Sequence, residues 1–459
     1  MTVVQPGSAA LLLALRGLHQ QRIDLTLGRM RRLLTALGNP EQHLPPVIHV
    51  AGTNAKGSLI AFLRAMLEAD GRHVHSYHSP PLHNLHECIR LASAAGASEA
   101  ISETGLTKTL ARVLAANASA PLTSFEGETA AALLAFAGTP ADLLLLETGL
   151  GGRLDATNVV AKPLLTVLTP IGIDHVEFLG STLSAIAAEK AGILKQDTPC
   201  IVARQQPETL DRLRTIAATL HVPLIEHGQE WDAYEQHGRL VYQDEGGLLD
   251  LPLPNLMGRH QIDNAGLAVA VALRMGLLAP GEKAIAKGLT QADWPGRLQR
   301  LPRNGLCAVL PDGSELWLDG GHNAASAAVI AQAMAEMEER VPKPLHLLLG
   351  MLQSKRLDAY LKPFRGVARS VTGIMLPDVS RAYAGSHLPS DIVRAAEAEG
   401  IFSQPANGIA DALAAIAVRA NAKPVRVLIC GSLHLAGSSL AADAEAVAAA
   451  KRTGLAGGG

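Results

Sequence analysis

The sequence predicts an α/β protein built on parallel sheets. Short apolar runs alternate with longer segments of helical periodicity from about residue 45 onward in a chain of 459 residues. This alternation is typical of parallel strands joined by right-handed helical crossovers. Hydrophobic residues make up 48% of the chain and aromatic residues only 3%. The cores must therefore consist of Ala, Leu, Val and Ile, which suit helices packed on a parallel sheet.

Taken in chain order, the periodicity predicts the following elements. Strands are expected at 46–51, 142–148, 164–169, 200–203, 315–319, 345–350, 370–375 and 425–430. Helices are expected at 58–70, 128–137, 183–194, 324–340, 391–399 and 409–420. The polar segment 227–254 contains short alternations and a Gly-Gly pair, which predict a small β-meander. The Pro- and Gly-containing segment 292–302 predicts a connection between domains.

Charge and composition exclude several classes of function. The chain has 40 Lys and Arg against 42 Asp and Glu, so its net charge of −2 provides no general attraction to nucleic acid or anionic membrane. The four cysteines are far apart and lack metal-site spacing, which favours reduced thiols. The apolar run 9–15 lacks a preceding basic segment and predicts a helix rather than a signal peptide. We therefore expect a cytoplasmic protein that binds neither nucleic acid nor membrane.

An apolar strand, a turn of small residues and a helix follow one another between residues 47 and 58. The N–H groups of such a turn and of the helix N-terminus can bind phosphate oxygens. Lys56 would add a positive charge near the outer phosphates, and the Ser58 hydroxyl could coordinate Mg²⁺. However, Val50 and Ala55 occupy the two glycine positions of the Walker pattern. A plain strand–turn–helix junction therefore explains these residues about equally well.

The loop Gly52-Thr53-Asn54-Ala55-Lys56-Gly57-Ser58 resembles the GTNGKGS loop of the folylpolyglutamate synthase/dihydrofolate synthase family, a branch of the Mur ligase superfamily. Ala55 replaces the usual glycine, which carries an energetic cost if this position requires a positive φ. Further matching blocks follow in the family's order at 147–158, 173–193, 258–265, 295–297, 319–323, 350–355 and 430–433. The resemblance therefore covers most of the chain, from about residue 22 to residue 437.

The resemblance implies a fold and a reaction. Residues 1–296 are expected to form a P-loop-type, Mur-ligase-type ATPase domain with a parallel sheet, and residues 297–459 a Rossmann-like α/β domain. A substrate carboxylate would attack the γ-phosphate of ATP to give an acyl phosphate, and the amine of L-glutamate would then displace phosphate. The implied acceptors are dihydropteroate and reduced folates, as in bacterial bifunctional enzymes. The implied cofactors are ATP and Mg²⁺ at two sites, and the implied state is a monomer.

The resemblance also assigns roles to single residues. It implies catalytic roles for Lys56, His175 and Lys190, the last in carbamylated form. It implies a magnesium site made by Ser58, Glu147 and His175. The implied ATP-binding residues are those of the loop 52–58 together with Asn264, Arg297, Asp319 and His322. The implied pterin or folate contacts are Asp24, Leu25, Phe125 and Arg153.

Several of these residues also allow a simpler interpretation. Glu147 has the character of a surface or capping acid, and His175 that of a hydrogen-bonded loop histidine. Lys190 lies in a helical pattern, where lysine is ordinarily solvated. Phe125 fits ordinary amphipathic packing nearly as well as contact with a flat ring.

Three other functions share part of this pattern. A Mur-type ligase of peptidoglycan precursors would use the same ATP machinery, but the segment 24–30 and the loop ending Gly57-Ser58 favour a folate enzyme, and no extra uridine-nucleotide domain is evident. A non-catalytic nucleotide-binding module would be expected to lack the metal and ATP residues, and these are all present. A plain P-loop kinase would leave the segment 319–323 unexplained.

Overall fold

The fold is described from a computed structural model, which defines residues 7–18, 25–377 and 385–452. The chain forms two compact units. The first consists of Met1–Asn255 and Gln261–Asp293, and the second of Leu256–His260 and Trp294–Gly459. In the described part of the chain, no helix combines the length and the apolar character that crossing a membrane requires.

The first unit is organised around an eight-stranded sheet in the order β4-β3-β2-β5-β1-β6-β7-β8. All neighbouring strands are parallel except the pairs that β3 makes with β2 and β4. The strands are β1 Val47–Ala51, β2 Val74–Tyr77, β3 Ile89–Ser93, β4 Gly96–Ala100, β5 Leu143–Glu147, β6 Leu165–Leu168, β7 Cys200–Val202 and β8 Leu224–Glu226. A separate antiparallel sheet contains β9 Trp231–Gln236, β10 Arg239–Asp244 and β11 Gly247–Pro252.

Helices pack on the sheet of the first unit and bury its apolar strands. They are α1 Ser8–Gly17, α2 Gly28–Ala36, α3 Lys56–Ala69, α4 Leu85–Cys88, α5 Glu103–Asn117, α6 Ser124–Ala137, α7 Val176–Leu179, α8 Leu183–Lys190, α9 Pro207–Leu220, α10 His260–Leu273 and α11 Glu282–Gln291. Every residue of β1 and β5 is buried, which explains why these strands are continuous apolar runs in the sequence.

The register of the sheet brings three loops of the first unit together. Strand β1 lies between β5 and β6, with Val50 opposite Glu147 and Ala51 opposite Leu168. Because the three strands are parallel, the loops that follow them leave the same edge of the sheet. Ligands of open α/β sheets bind at this carboxyl edge.

The second unit contains a six-stranded sheet in the order β12-β13-β17-β14-β15-β16. Its strands are β12 Gln299–Arg300, β13 Glu315–Leu318, β14 Leu345–Leu349, β15 Ala368–Gly373, β16 Phe402–Pro405 and β17 Arg426–Cys430, all parallel except the β12–β13 pair. The helices are α12 Ala324–Arg340, α13 Leu357–Leu361, α14 Pro389–Ala398, α15 Ile409–Ala420 and α16 Leu433–Arg452. The unit has its own apolar core between the sheet and its helices.

The structure confirms the predicted α/β class, and all eight predicted strands coincide with observed strands to within two residues. The predicted meander is the sheet β9–β11. The predicted helix 183–194 ends earlier, because α8 stops at Lys190 and a 3₁₀ turn, Ala191–Ile193, follows. Strand β2 was not predicted, because its sequence, Val-His-Ser-Tyr, is half polar although all four residues are buried.

Candidate active site

The turn after β1 has a strained backbone. Ala55 adopts φ 70° and ψ −10°, in the left-handed region, directly before the first residue of α3. The sequence predicted an energetic cost for alanine if this position required a positive φ. The positive φ of Ala55 means that this cost applies. At Gly52 no side chain fits, because an added Cβ would lie 1.8 Å from Thr169 Oγ1.

The hydrogen bonds of this turn leave a run of donors available. The N–H groups of Thr53 and Asn54 donate to Pro170 O at 3.0 and 3.2 Å. The first helical hydrogen bond of α3 runs from Leu59 N to Ala55 O at 2.9 Å. Among the described residues, the four N–H groups of 55–58 have no acceptor. A helix N-terminus with open N–H groups favours anions, and phosphate above all.

Two lysines meet at the same carbonyl of the loop. Lys56 Nζ donates to Gly52 O at 3.1 Å, and Lys190 Nζ donates to the same oxygen at 2.8 Å. Lys190 is only 5% exposed. Its burial, and then the charge of Lys56, lower the pKa of Lys190 from 10.5 to about 7. Lys190 is thus not the solvated helix residue that its sequence context would suggest.

Buried oxygen donors flank the loop. Glu147, at the end of β5, has an oxygen 3.6 Å from Lys56 Nζ, and both Glu147 and Ser58 are buried. His175 follows β6 and precedes α7, with φ 51°. In the described part of the chain, no three His, Cys, Asp or Glu side chains form a metal cage by themselves. Magnesium is usually held by one or two carboxylates together with substrate phosphates. Glu147 supplies such a carboxylate, and the Ser58 hydroxyl is a further oxygen ligand.

Helix α10 reaches the loop 52–58 through two amides. Asn264 Nδ2 donates to Gln261 Oε1 at 2.9 Å, and Gln261 Nε2 lies 3.4 Å from Ser58 Oγ. All three side chains are buried. The predicted residue Asn264 is therefore connected to the loop through Gln261, which lies in the matching block 258–265 but was given no role by the sequence analysis.

Three predicted residues form a cluster within the second unit. Asp319, after β13, accepts hydrogen bonds from Leu298 N at 2.9 Å and from Gly321 N at 2.6 Å. Burial raises the pKa of Asp319, whereas the nearby charge of Arg297 opposes this shift. His322 Nδ1 lies 3.0 Å from Gly320 O. Asp319 thus orders the loops that carry the other two residues.

The predicted pterin residues are only partly brought together. Phe125 lies in the first turn of α6, and its ring packs so closely on Gly149 that an added Cβ would come within 2.3 Å of Phe125 Cζ. Arg153 pairs instead with Glu189, Nη2 to Oε1 at 2.8 Å. Leu25 is half-buried before α2, and Asp24 lies outside the described residues.

A buried hydrogen-bond chain that the sequence analysis did not predict supports the segment after Glu147. Thr157 Oγ1 donates to Asp155 Oδ1 at 2.5 Å and lies 2.9 Å from His49 Nε2 on β1. Asp155 Oδ2 accepts the N–H of Leu150 at 2.7 Å. Burial raises the pKa of Asp155 and lowers that of His49 to about 3. The sequence signal for this hydrogen-bond chain was that Asp155 and Thr157 belong to the polar part of the segment 147–158.

Comparison with known proteins yields two family matches. Residues 50–272 match the family model of the Mur ligase middle domain, and residues 309–442 match that of the dihydrofolate synthetase C-terminal domain. The chain is 32% identical to the dihydrofolate synthase/folylpolyglutamate synthase of Escherichia coli K12 over 428 residues, which cover 92% of each chain. It is 35% identical to the Bacillus subtilis protein of the same name over 322 residues, 68% of this chain and 72% of that protein.

Two solved structures match nearly the whole length of the chain. Escherichia coli FolC in complex with DHPP and ADP has a TM-score of 0.83 and 30% identity, and the match covers 97% of this chain and 99% of that one. A bifunctional folylpolyglutamate synthase/dihydrofolate synthase from Yersinia pestis, complexed with AMPPNP and Mn ion, has a TM-score of 0.81 and 28% identity. That match covers 95% of this chain and 98% of that one.

Proposed function

Because the chain belongs to the dihydrofolate synthase/folylpolyglutamate synthase family, we propose that it joins L-glutamate to dihydropteroate, and also to reduced folates, with hydrolysis of ATP to ADP. The observation that carries this proposal is the run of open N–H groups at 55–58, next to Lys56 and the buried Glu147. A helix N-terminus, a lysine and a carboxylate at one loop are the parts that phosphoryl transfer from ATP requires.

Positioning and charge neutralisation account for most of the catalysis of such a transfer. The N–H groups of 55–58 would hold phosphate oxygens, and Lys56 would neutralise the charge that develops during transfer. Ser58, Glu147 and His175 would hold one magnesium ion, which supplies further neutralisation of the phosphate oxygens. The low pKa of Lys190 leaves part of its amine neutral near pH 7, as carbamylation requires, and the resulting anion would serve the second magnesium site.

The proposal also assigns a role to each domain. Residues 1–296 would act as the ATP-binding domain. Residues 297–459 would form the glutamate ligase domain and would supply Arg297, Asp319 and His322 as further ATP-binding residues. Phe125 would pack on the pterin ring, with Asp24, Leu25 and Arg153 as further contacts. The enzyme would act as a cytoplasmic monomer. Its four cysteines are buried and form no disulfide, as is usual for proteins of the cytoplasm.

Purified protein tests the proposal directly. ADP release should require dihydropteroate and L-glutamate together, and Lys56→Ala should abolish it. Lys283→Ala, an exposed position on α11, is the matched control and should retain activity. Turnover with a uridine-linked muramyl substrate alone would instead identify a peptidoglycan ligase. Comparing dihydropteroate with tetrahydrofolate as acceptors decides whether both synthase activities are present.

A further inference from the structure

We propose that Gln205 is a positioning residue for ATP, because it holds a second loop that gives residues 52–58, the phosphate loop, their shape. The second loop, the bracing loop, consists of residues 169–172 and follows β6. Gln205 follows β7, the neighbour of β6 in the sheet, and belongs to none of the sequence blocks discussed above. The inference rests on the proposed ATP-dependent function of the site.

The side-chain amide of Gln205 spans the bracing loop on both sides of Pro170. Its Nε2 donates to Thr169 O at 3.0 Å, and its Oε1 accepts the N–H of Ile171 at 3.0 Å. One side chain thus satisfies a carbonyl and an N–H that flank the same proline. Only a group with both a donor and an acceptor can do this, and in a side chain of this length that group is the glutamine amide.

The bracing loop in turn shapes the phosphate loop. Pro170 O accepts the N–H groups of both Thr53 and Asn54, and Thr169 Oγ1 donates to Asn54 O at 2.7 Å. Thr53 Oγ1 also donates to Gly172 O and accepts from Gly172 N, each at 3.0 Å. Five hydrogen bonds therefore join Thr53 and Asn54 of the phosphate loop to the bracing loop.

This arrangement determines which N–H groups remain available for phosphate. Because Thr53 and Asn54 direct their N–H groups to Pro170, the chain turns at Ala55 and the next four N–H groups, those of 55–58, stay open. If Pro170 O shifts, the direction of the first two N–H groups changes, and with it the start of α3. Gln205 is the side chain that fixes the backbone on both sides of that oxygen.

The adjacent glutamine provides a matched control. Gln206 is exposed at the start of α9 and makes no side-chain hydrogen bond to the helix. Gln205→Met retains the length of the side chain and removes both hydrogen bonds, and Gln206→Met is the same chemical change one residue away. Gln205→Glu retains the acceptor for Ile171 N but places an oxygen against Thr169 O, so it also breaks the bridge.

The experiment measures MgADP affinity by calorimetry and steady-state kinetics on the full-length protein. We expect Gln205→Met to raise the Kd for MgADP and the KM for ATP about tenfold, the effect of losing one to two hydrogen bonds. The KM for dihydropteroate should stay within about twofold, and Gln206→Met should match the wild type. Gln205→Glu should reproduce the loss, and it decides the question if the Met variant does not fold.

Wild-type affinity for MgADP in Gln205→Met would overturn the inference. So would an equal rise in the KM values for ATP and dihydropteroate, which would indicate a general loss of structure rather than positioning of the phosphate loop. Failure of the wild-type protein to bind MgADP or to turn over would instead refute the proposed function. The two failures are therefore distinguishable.

Discussion

At Ala55 the backbone has φ 70° in a turn that residues on both sides hold in place. A residue with a Cβ is strained in this conformation, and glycine is not. The strain lies where the open N–H groups begin, so the turn is maintained by its hydrogen bonds rather than by the preference of alanine. This is a position at which a single substitution should increase stability.

We therefore predict that Ala55→Gly raises the free energy of unfolding by about 1 kcal/mol and retains activity. Urea denaturation measures the change. Ala65→Gly, in the middle of α3, is the control and should lower stability by about 0.5–1 kcal/mol, because glycine disfavours a helix interior. Equal losses in both variants would show that Ala55 is not strained.

Lys190 is a second residue whose environment has a measurable consequence. Its pKa of about 7 in the folded state lies below 10.5, so between these values the unfolded chain binds more protons and stability increases with pH. Lys190→Met removes the buried charge. Its stability gain over the wild type should be largest near pH 6 and smaller by about 4 kcal/mol near pH 10.

Urea titrations in bicarbonate-free buffer at both pH values test this prediction. Lys283→Met, at an exposed position, should show no comparable pH dependence. A gain for Lys190→Met that does not change with pH would mean that Lys190 is not a buried ammonium group. The activity of Lys190→Met should be lost at every pH, since the proposed carbamylated amine is missing.

At the scale of elements, the first turn of α6 and the segment after β5 fit together through a glycine. Thr123 and Glu126 form a capping box, and Arg29 Nε bonds to Glu126 at 3.0 Å, so the helix start is firmly placed. Phe125 projects from this turn onto Gly149. The position of the ring therefore depends on the absence of a side chain two residues after Glu147.

We predict that Gly149→Ala lowers the free energy of unfolding by about 1–3 kcal/mol through overpacking, and raises the KM for dihydropteroate more than the KM for ATP. Combining it with Phe125→Ala should recover about 1 kcal/mol or more, as a double-mutant cycle would detect. Gly17→Ala, which has open space at the end of α1, is the control and should be neutral or stabilising. Strict additivity in the cycle would refute the contact.

At the scale of the whole molecule, each unit has its own sheet and apolar core. Units built in this way commonly unfold as separate cooperative transitions. The chain has three tryptophans, with Trp231 in the first unit and Trp294 and Trp317 in the second. Tryptophan fluorescence can therefore follow the units separately.

We predict two unfolding midpoints in urea. Trp231→Phe leaves fluorescence only from the second unit, and the double variant Trp294→Phe/Trp317→Phe leaves it only from the first. The two variants should report different midpoints, both of which are visible by circular dichroism in the wild-type protein. A single midpoint shared by all three proteins would show that the units unfold together.

The sequence by itself predicted the α/β class, eight of the strands, and the succession of strand, small-residue turn and helix between residues 47 and 58. These features are local: a buried parallel strand is a continuous apolar run, and the loop needs small residues and a lysine at fixed spacing. Strands such as β2 escaped prediction because their buried polar residues find partners elsewhere, as His75 Nε2 does at Thr139 O. The periodicity of a sequence does not predict hydrogen-bond partners that lie far away in the chain.

The tertiary structure alone decided how the site residues behave. Lys190 lies 138 residues from Gly52 in the sequence, yet it donates to that carbonyl and is buried there, which lowers its pKa. The positive φ of Ala55 follows from the bonds of Thr53 and Asn54 to Pro170. The residues on either side of Pro170 are held by Gln205, which follows the next strand of the sheet. Burial, strain and hydrogen-bond partners arise between segments that are distant in the chain, so only the folded sheet can determine them.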